Sequence, residues 1–210
     1  MDGIIDVVLF VAALVPAIVI HEVMHGVAAV RLGDLTPRQM GRLTLNPIPH
    51  IDPFGSVLLP GLLLLPTLFG VGGGMVFGYA KPMPVNPSNL KEPDRGMMWI
   101  ALAGPAANLG LAVGFGLLSQ VLSASGYLGR FLRIGLVVNV LLAVFNIMPI
   151  PPLDGSKVLA RYLPPRAREV YRGLDQYGAL FLLVIFFVFP GPILAIVTAV
   201  AGGIISILGG

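Results

Sequence analysis

Three stretches of this sequence, Gly3–Val30, Met97–Leu122 and Phe131–Met148, run on with almost no charge. Each is close to or above the roughly 20 residues a helix needs to cross a bilayer. The rest of the chain agrees: 56% of its residues are hydrophobic and 11% charged, against about 25% charged in soluble domains. Ser56–Phe69 is a further apolar segment, interrupted by Pro60 and Pro66 and followed by Gly72-Gly73-Gly74. Gly178–Leu208 is another, split by Pro190-Gly191-Pro192. The predicted fold is therefore an all-α polytopic membrane protein with about five to six transmembrane helices. A re-entrant or short β element is expected between the first two core helices, and Gly41–Leu45 could form a short strand.

No repeat or polar linker divides the chain. Residues 1–210 read as one domain, with a core over 1–156 and an interfacial helix plus helical hairpin over 157–210. The first stretch has Asp2 and Asp6 ahead of it and no Ala-x-Ala site, so it does not read as a cleaved signal peptide. The absence of cysteine excludes disulfides, thiolate ligands and a cysteine nucleophile. The net charge of +3 sits in short loops between apolar segments, where basic residues set orientation. No nucleic-acid partner is expected.

His21-Glu22-Val23-Met24-His25 interrupts the apolar run Val11–Val30, where Glu22 is the only acid. Histidines at i and i+4 share one helix face. That spacing lets two imidazoles converge on one Zn²⁺, with Glu22 placed to take a proton from the attacking water. A charge in hydrocarbon costs roughly 2.5–3.5 kcal/mol on insertion scales, so Glu22 needs a reason to be there. The plainer alternative is a polar cluster that packs helices together.

A catalytic zinc wants a third protein ligand. A histidine six residues after His25 would extend one known pattern, but that position is Arg31. Glu92 and Glu169 lie in charged loops, and His50, in Asn46–Pro53, stays open as a ligand. Asp154 stands apart, at the end of a long apolar helix between prolines and Gly155. A carboxylate there is costly unless it binds a cation, although a helix-end turn is its plainer role. Asp154 is the expected third ligand.

Three segments resemble the site-2 protease family of intramembrane zinc metalloproteases. They are His21-Glu22-x-x-His25, Ala103-Gly104-Pro105-Ala106-Ala107-Asn108 and Asn146-x-x-Pro149-x-Pro151-x-x-Asp154-Gly155. Asn46–Ser56 and Gly78–Pro87 are similar to its compact prokaryotic branch, which lacks PDZ and CBS domains. The resemblance covers roughly Pro16 to Lys157. It implies one Zn²⁺ per chain held by His21, His25 and Asp154, with Glu22 as general base. It also implies that Asn146 donates a hydrogen bond to the substrate backbone or the developing oxyanion, and that Gly78–Val85 is a re-entrant strand pairing with unwound substrate. Asn146 could instead bridge helices, and Asn108 could simply hydrogen-bond across a close contact made by Gly104 and Ala107.

For Asp154 to meet the histidines, the first span and Phe131–Met148 must run in the same direction and Met97–Leu122 oppositely. Arg31, Arg38, Arg42, Lys81, Lys91, Arg95, Lys157, Arg161, Arg166, Arg168 and Arg172 then fall on the active-site side, and only Arg130 and Arg133 on the other. The expected location is the plasma membrane of a prokaryote with the site near the cytoplasmic face. The expected reaction is peptide-bond hydrolysis within or beside transmembrane helices of membrane-protein substrates. A non-proteolytic zinc-binding scaffold or chaperone, or an ion or solute transporter, would also place histidine and aspartate in a membrane.

Overall fold

The computed structural model describes residues 2–58, 78–123, 125–178, 180, 182, 184 and 190–209. Its long helices are α1 (Asp2–Arg31), α2 (Pro93–Val121) and α3 (Gly126–Asn146). Two short helices follow, α4 (Asp154–Ala160) and α5 (Pro165–Gly173), and then α6 (Pro190–Ile207). By length and composition, α1, α2 and α3 can each cross a membrane. With 30 residues, α1 is about 45 Å long, longer than the roughly 30 Å hydrocarbon core.

The distribution of side chains is inverted relative to a soluble bundle. Ile4, Val7 and Val8 of α1, Leu117 of α2 and Leu128 of α3 face outward, whereas His21, His25, Asn108 and Asn139 are buried. A membrane chain lays its apolar faces on lipid and hides the groups that need partners. The apolar interior is a layer of Ala112, Leu136, Val140, Val144, Met148, Val197 and Ala201, where α2, α3 and α6 meet.

The helix directions are those required by the first and last motifs. Residues of α1 from Ala17 to His25 bond to α2 in reverse order, from Asn108 to Ile100, so α1 and α2 are antiparallel. Arg130 at the start of α3 pairs with Asp6 at the start of α1, 3.4 Å apart. Beyond the far end of α3, Asp154 reaches His21 and His25. Gly155 makes that return possible, because a Cβ there would lie 1.9 Å from the Ile147 carbonyl oxygen.

At this end the chain between α1 and α2 is held by Asp34, which is fully buried. Its carboxylate accepts from Thr36 N (3.1 Å), Thr36 Oγ1 (2.6 Å), Asn86 N (2.7 Å) and Asn89 Nδ2 (2.7 Å). Burial raises the Asp34 carboxyl, but these donors outweigh it and hold it below the ordinary value of 3.8. Its contribution to stability is complete well above that value and is lost as pH falls through the lower folded one. Asp34→Ala is expected to lower stability by roughly 3 kcal/mol by stranding charged-group hydrogen bonds. Thermal unfolding in detergent checks this, with hydrogen exchange at the Asn86 amide reporting the freed loop. A second tie is the pairing of Asp94, at the start of α2, with Arg172 (2.7 Å) and Arg168 of α5.

Three expectations need adjustment. Among the described residues there is no strand, and Gly41–Leu45 is irregular. Residues 78–86 form no regular element, and Tyr79 N and Lys81 N donate to Gly55 O (3.0 Å) and His50 O (2.9 Å). Their partners, however, are wound into the turns Ile48–His50 and Pro53–Leu58, so no ladder can propagate. The re-entrant hairpin expected over Ser56–Ala80 lies mostly outside the described residues, as does the first half of the C-terminal hairpin. The interfacial helix expected over Lys157–Arg172 is two helices. Pro164 and Pro165 break it, with Pro165 opening α5 where its missing N–H does no harm.

Candidate metal centre

His21 and His25 lie one turn apart on the buried face of α1. Their Nε2 atoms are 3.0 Å from each other, and Asp154 Oδ2 is 3.1 Å from both. These three ligand atoms form a near-equilateral triangle. Its edges are close to the roughly 3.3 Å spacing that zinc bonds of about 2.0–2.1 Å produce in a tetrahedron.

The outer hydrogen bonds explain why both Nε2 atoms face inward. His25 Nδ1 lies 2.6 Å from Ile100 O. A carbonyl only accepts, so Nδ1 carries the proton and Nε2 keeps its lone pair. His21 Nδ1 lies 2.6 Å from Asn108 Oδ1, which has the same effect. Two lone pairs facing each other at 3.0 Å repel unless a cation sits between them. The chemistry of this donor set therefore fits a metal such as zinc. Asp154 turns Oδ2 to the same point, 3.1 Å from each Nε2, and completes the donor set with a carboxylate oxygen.

Gly104 makes room for the rings. A Cβ there would lie 2.5 Å from His25 Nε2 and 2.7 Å from His21 Cε1. The close helix contact expected at Gly104 is thus one with α1, and it falls on the two histidines.

Glu22 is half-buried, and its Oε2 is buried without a hydrogen-bond partner among the described residues. Asn146, the last residue of α3, is half-buried and donates from Nδ2 to Leu142 O at 2.9 Å. His50 lies elsewhere: it is buried and donates from Nε2 to Thr44 O at 2.9 Å. The donor cluster among the described residues is His21, His25 and Asp154.

Asn139 is the residue that sequence reasoning missed. It is fully buried and bonds to Asn108. Its signal was present, since an asparagine in the middle of an apolar helix raises the same question of expense as Glu22. It also lies seven residues before Asn146, on the same side of α3.

Comparison with known proteins bears on the same site. Residues 120–189, which include α3 and Asp154-Gly155, match the model of "Peptidase family M50". "Putative zinc metalloprotease YwhC" of Bacillus subtilis (strain 168) is 37% identical over 185 residues, covering 84% of this chain and 78% of that protein. "Putative zinc metalloprotease Rip2" of Mycolicibacterium smegmatis is 30% identical over 187 residues, covering 85% of this chain and 66% of that protein. No solved structure matches. With a family model over α3 and Asp154 and a relative 37% identical over most of both chains, the chain belongs to peptidase family M50, the site-2 protease family.

Proposed function

We propose that this protein is an intramembrane zinc endopeptidase that hydrolyses peptide bonds within or beside transmembrane helices of membrane-protein substrates. The observation that carries the reading is the triangle of His21, His25 and Asp154 donor atoms in an apolar helical bundle, with the unpartnered Glu22 oxygen on the same helix. In this reading His21, His25 and Asp154 hold one zinc ion per chain. Bound zinc supplies a Lewis acid that makes water a stronger acid and polarises the scissile carbonyl. Glu22 takes the proton of the attacking water and returns it to the leaving amine. Asn146 exchanges its bond to Leu142 O for one to the substrate backbone or the developing oxyanion.

A helical substrate hides its carbonyls in i to i−4 bonds and must unwind before attack. A groove of about 240 Å³ lies beside the site on the same two helices, α1 and α2, lined by Met24, Val27, Ala28, Arg31, Leu32, Trp99 and Ala103. The charge distribution supports a cytoplasmic site, as the loops at the Asp154 end carry most of the basic residues.

The test is incubation of bacterial membranes with the purified, zinc-loaded chain, followed by mapping of new termini by mass spectrometry. New termini within or next to transmembrane segments are expected, abolished by chelation and restored by zinc. Cleavage confined to soluble domains, or insensitive to chelation, would overturn the proposal.

A further inference from the structure

His25 owes its tautomer to a backbone carbonyl, which has only one possible role. His21 has no such partner. Its Nδ1 faces the side chain of Asn108, and an amide can present either its oxygen or its nitrogen. With the nitrogen toward the ring, His21 would carry its proton on Nε2, and the lone pair aimed at Asp154 and His25 would be gone. The orientation of one amide therefore decides whether His21 can be a ligand.

Two acceptor-only carbonyls decide that orientation, Ala17 O of α1 directly and Gly135 O of α3 through Asn139. Gly135 O, an acceptor only, is 2.8 Å from Asn139 Nδ2. This turns Asn139 Oδ1 toward α2, where it accepts from Asn108 Nδ2 at 2.8 Å. The other hydrogen of Asn108 Nδ2 goes to Ala17 O at 3.2 Å. Both amide hydrogens of Asn108 are then engaged, and only Oδ1 remains for His21 Nδ1. Asn108 and Asn139 are both 0% exposed, so water cannot replace either partner. The relay begins and ends on groups with fixed polarity and crosses all three long helices.

We infer that Asn139 is a positioning residue of the metal centre: through Asn108 it holds His21 in the tautomer whose Nε2 can bind a metal. This rests on the reading of His21 as a zinc ligand, and it extends that reading to a residue with no contact to the donor atoms.

Asn139→Leu is similar in size and removes the acceptor. In chelator competition on the purified full-length chain it is expected to weaken zinc binding by about 3- to 10-fold, below the roughly 10- to 100-fold usual when a ligand's direct partner is lost, because Ala17 O still holds Asn108 Nδ2. Asn108→Asp offers His21 only acceptor oxygens, so orientation no longer depends on α3. In that background, adding Asn139→Leu is expected to change zinc affinity by less than about 2-fold. Wild-type affinity in Asn139→Leu overturns the inference. So does an equal loss in both backgrounds, which marks Asn139 as a packing residue only.

If the variants do not fold, the wild type decides. Nitrogen NMR of the metal-free chain with isotope-labelled histidine is expected to show the neutral His21 protonated on Nδ1, and a proton on Nε2 overturns the inference. A wild-type chain that binds no zinc would sink the metalloprotease proposal instead, with the tautomer measurement still readable.

Discussion

Glu22→Gln is expected to lower cleavage of a membrane-embedded substrate by at least about 100-fold, since a positioned general base contributes roughly 10²- to 10⁴-fold. Zinc content should stay near that of the wild type. Glutamine fills the same volume, and Glu22 is not among the three ligand residues. What changes is the buried Oε2, which lacks a partner among the described residues. As a carboxylate oxygen it can accept a proton during the reaction, whereas an amide cannot. The measurement pairs a cleavage assay with metal analysis of the same preparation. Retained cleavage would sink Glu22 as the base. Loss of zinc together with activity would assign it a structural role.

Gly104→Ala is expected to be nearly as damaging, by a different route. The new Cβ would lie 2.5 Å from His25 Nε2 and 2.6 Å from His25 Cε1. Neither ring can swing clear, because both are held through Nδ1 by 2.6 Å hydrogen bonds. Relief requires α1 and α2 to separate by about 1 Å, to reach ordinary carbon contact. A displacement of that size costs on the order of 100-fold in rate, and zinc affinity should fall by at least about 10-fold. Gly110, on the same helix, has nothing within 4 Å of its Cβ position. Gly110→Ala should leave zinc affinity unchanged, and equal losses in both variants would refute the steric argument.

The sequence was most legible where chemistry conflicts with the medium. Glu22, the two histidines and Asp154 are expensive residues in apolar surroundings, and expense directs attention to partners. The directions of α1, α2 and α3 then followed from the need to bring Asp154 to α1. Asn139 is also costly in apolar surroundings, though less so because it is neutral, and a lone asparagine does not name its chemistry. Its role depends on which amide it meets on α2, and contacts across helices leave no mark on local spacing. The expected strand at Gly41–Leu45 failed for a related reason. Alternation of residue types describes one chain, while a strand needs an extended neighbour, and the backbone nearby is coiled. The break at Pro164-Pro165 is written in the sequence, but it falls inside a run of basic residues that reads as one interfacial helix.

The polar relay also bears on how the protein is made. Helices leave the ribosome in chain order, so α1 enters the membrane with His21 and His25 lacking their partners. When α2 arrives, Asn108 can bond to His21 and Ala17 O, and Ile100 O can bond to His25. One amide hydrogen of Asn108 still waits for Asn139, and the triangle waits for Asp154; α3 leads to both. Docking of the third helix and assembly of the donor triangle are therefore one process. A chain stopped before α3 holds an unmatched amide hydrogen on Asn108 in a dry interior, a cost removed only when the third helix docks.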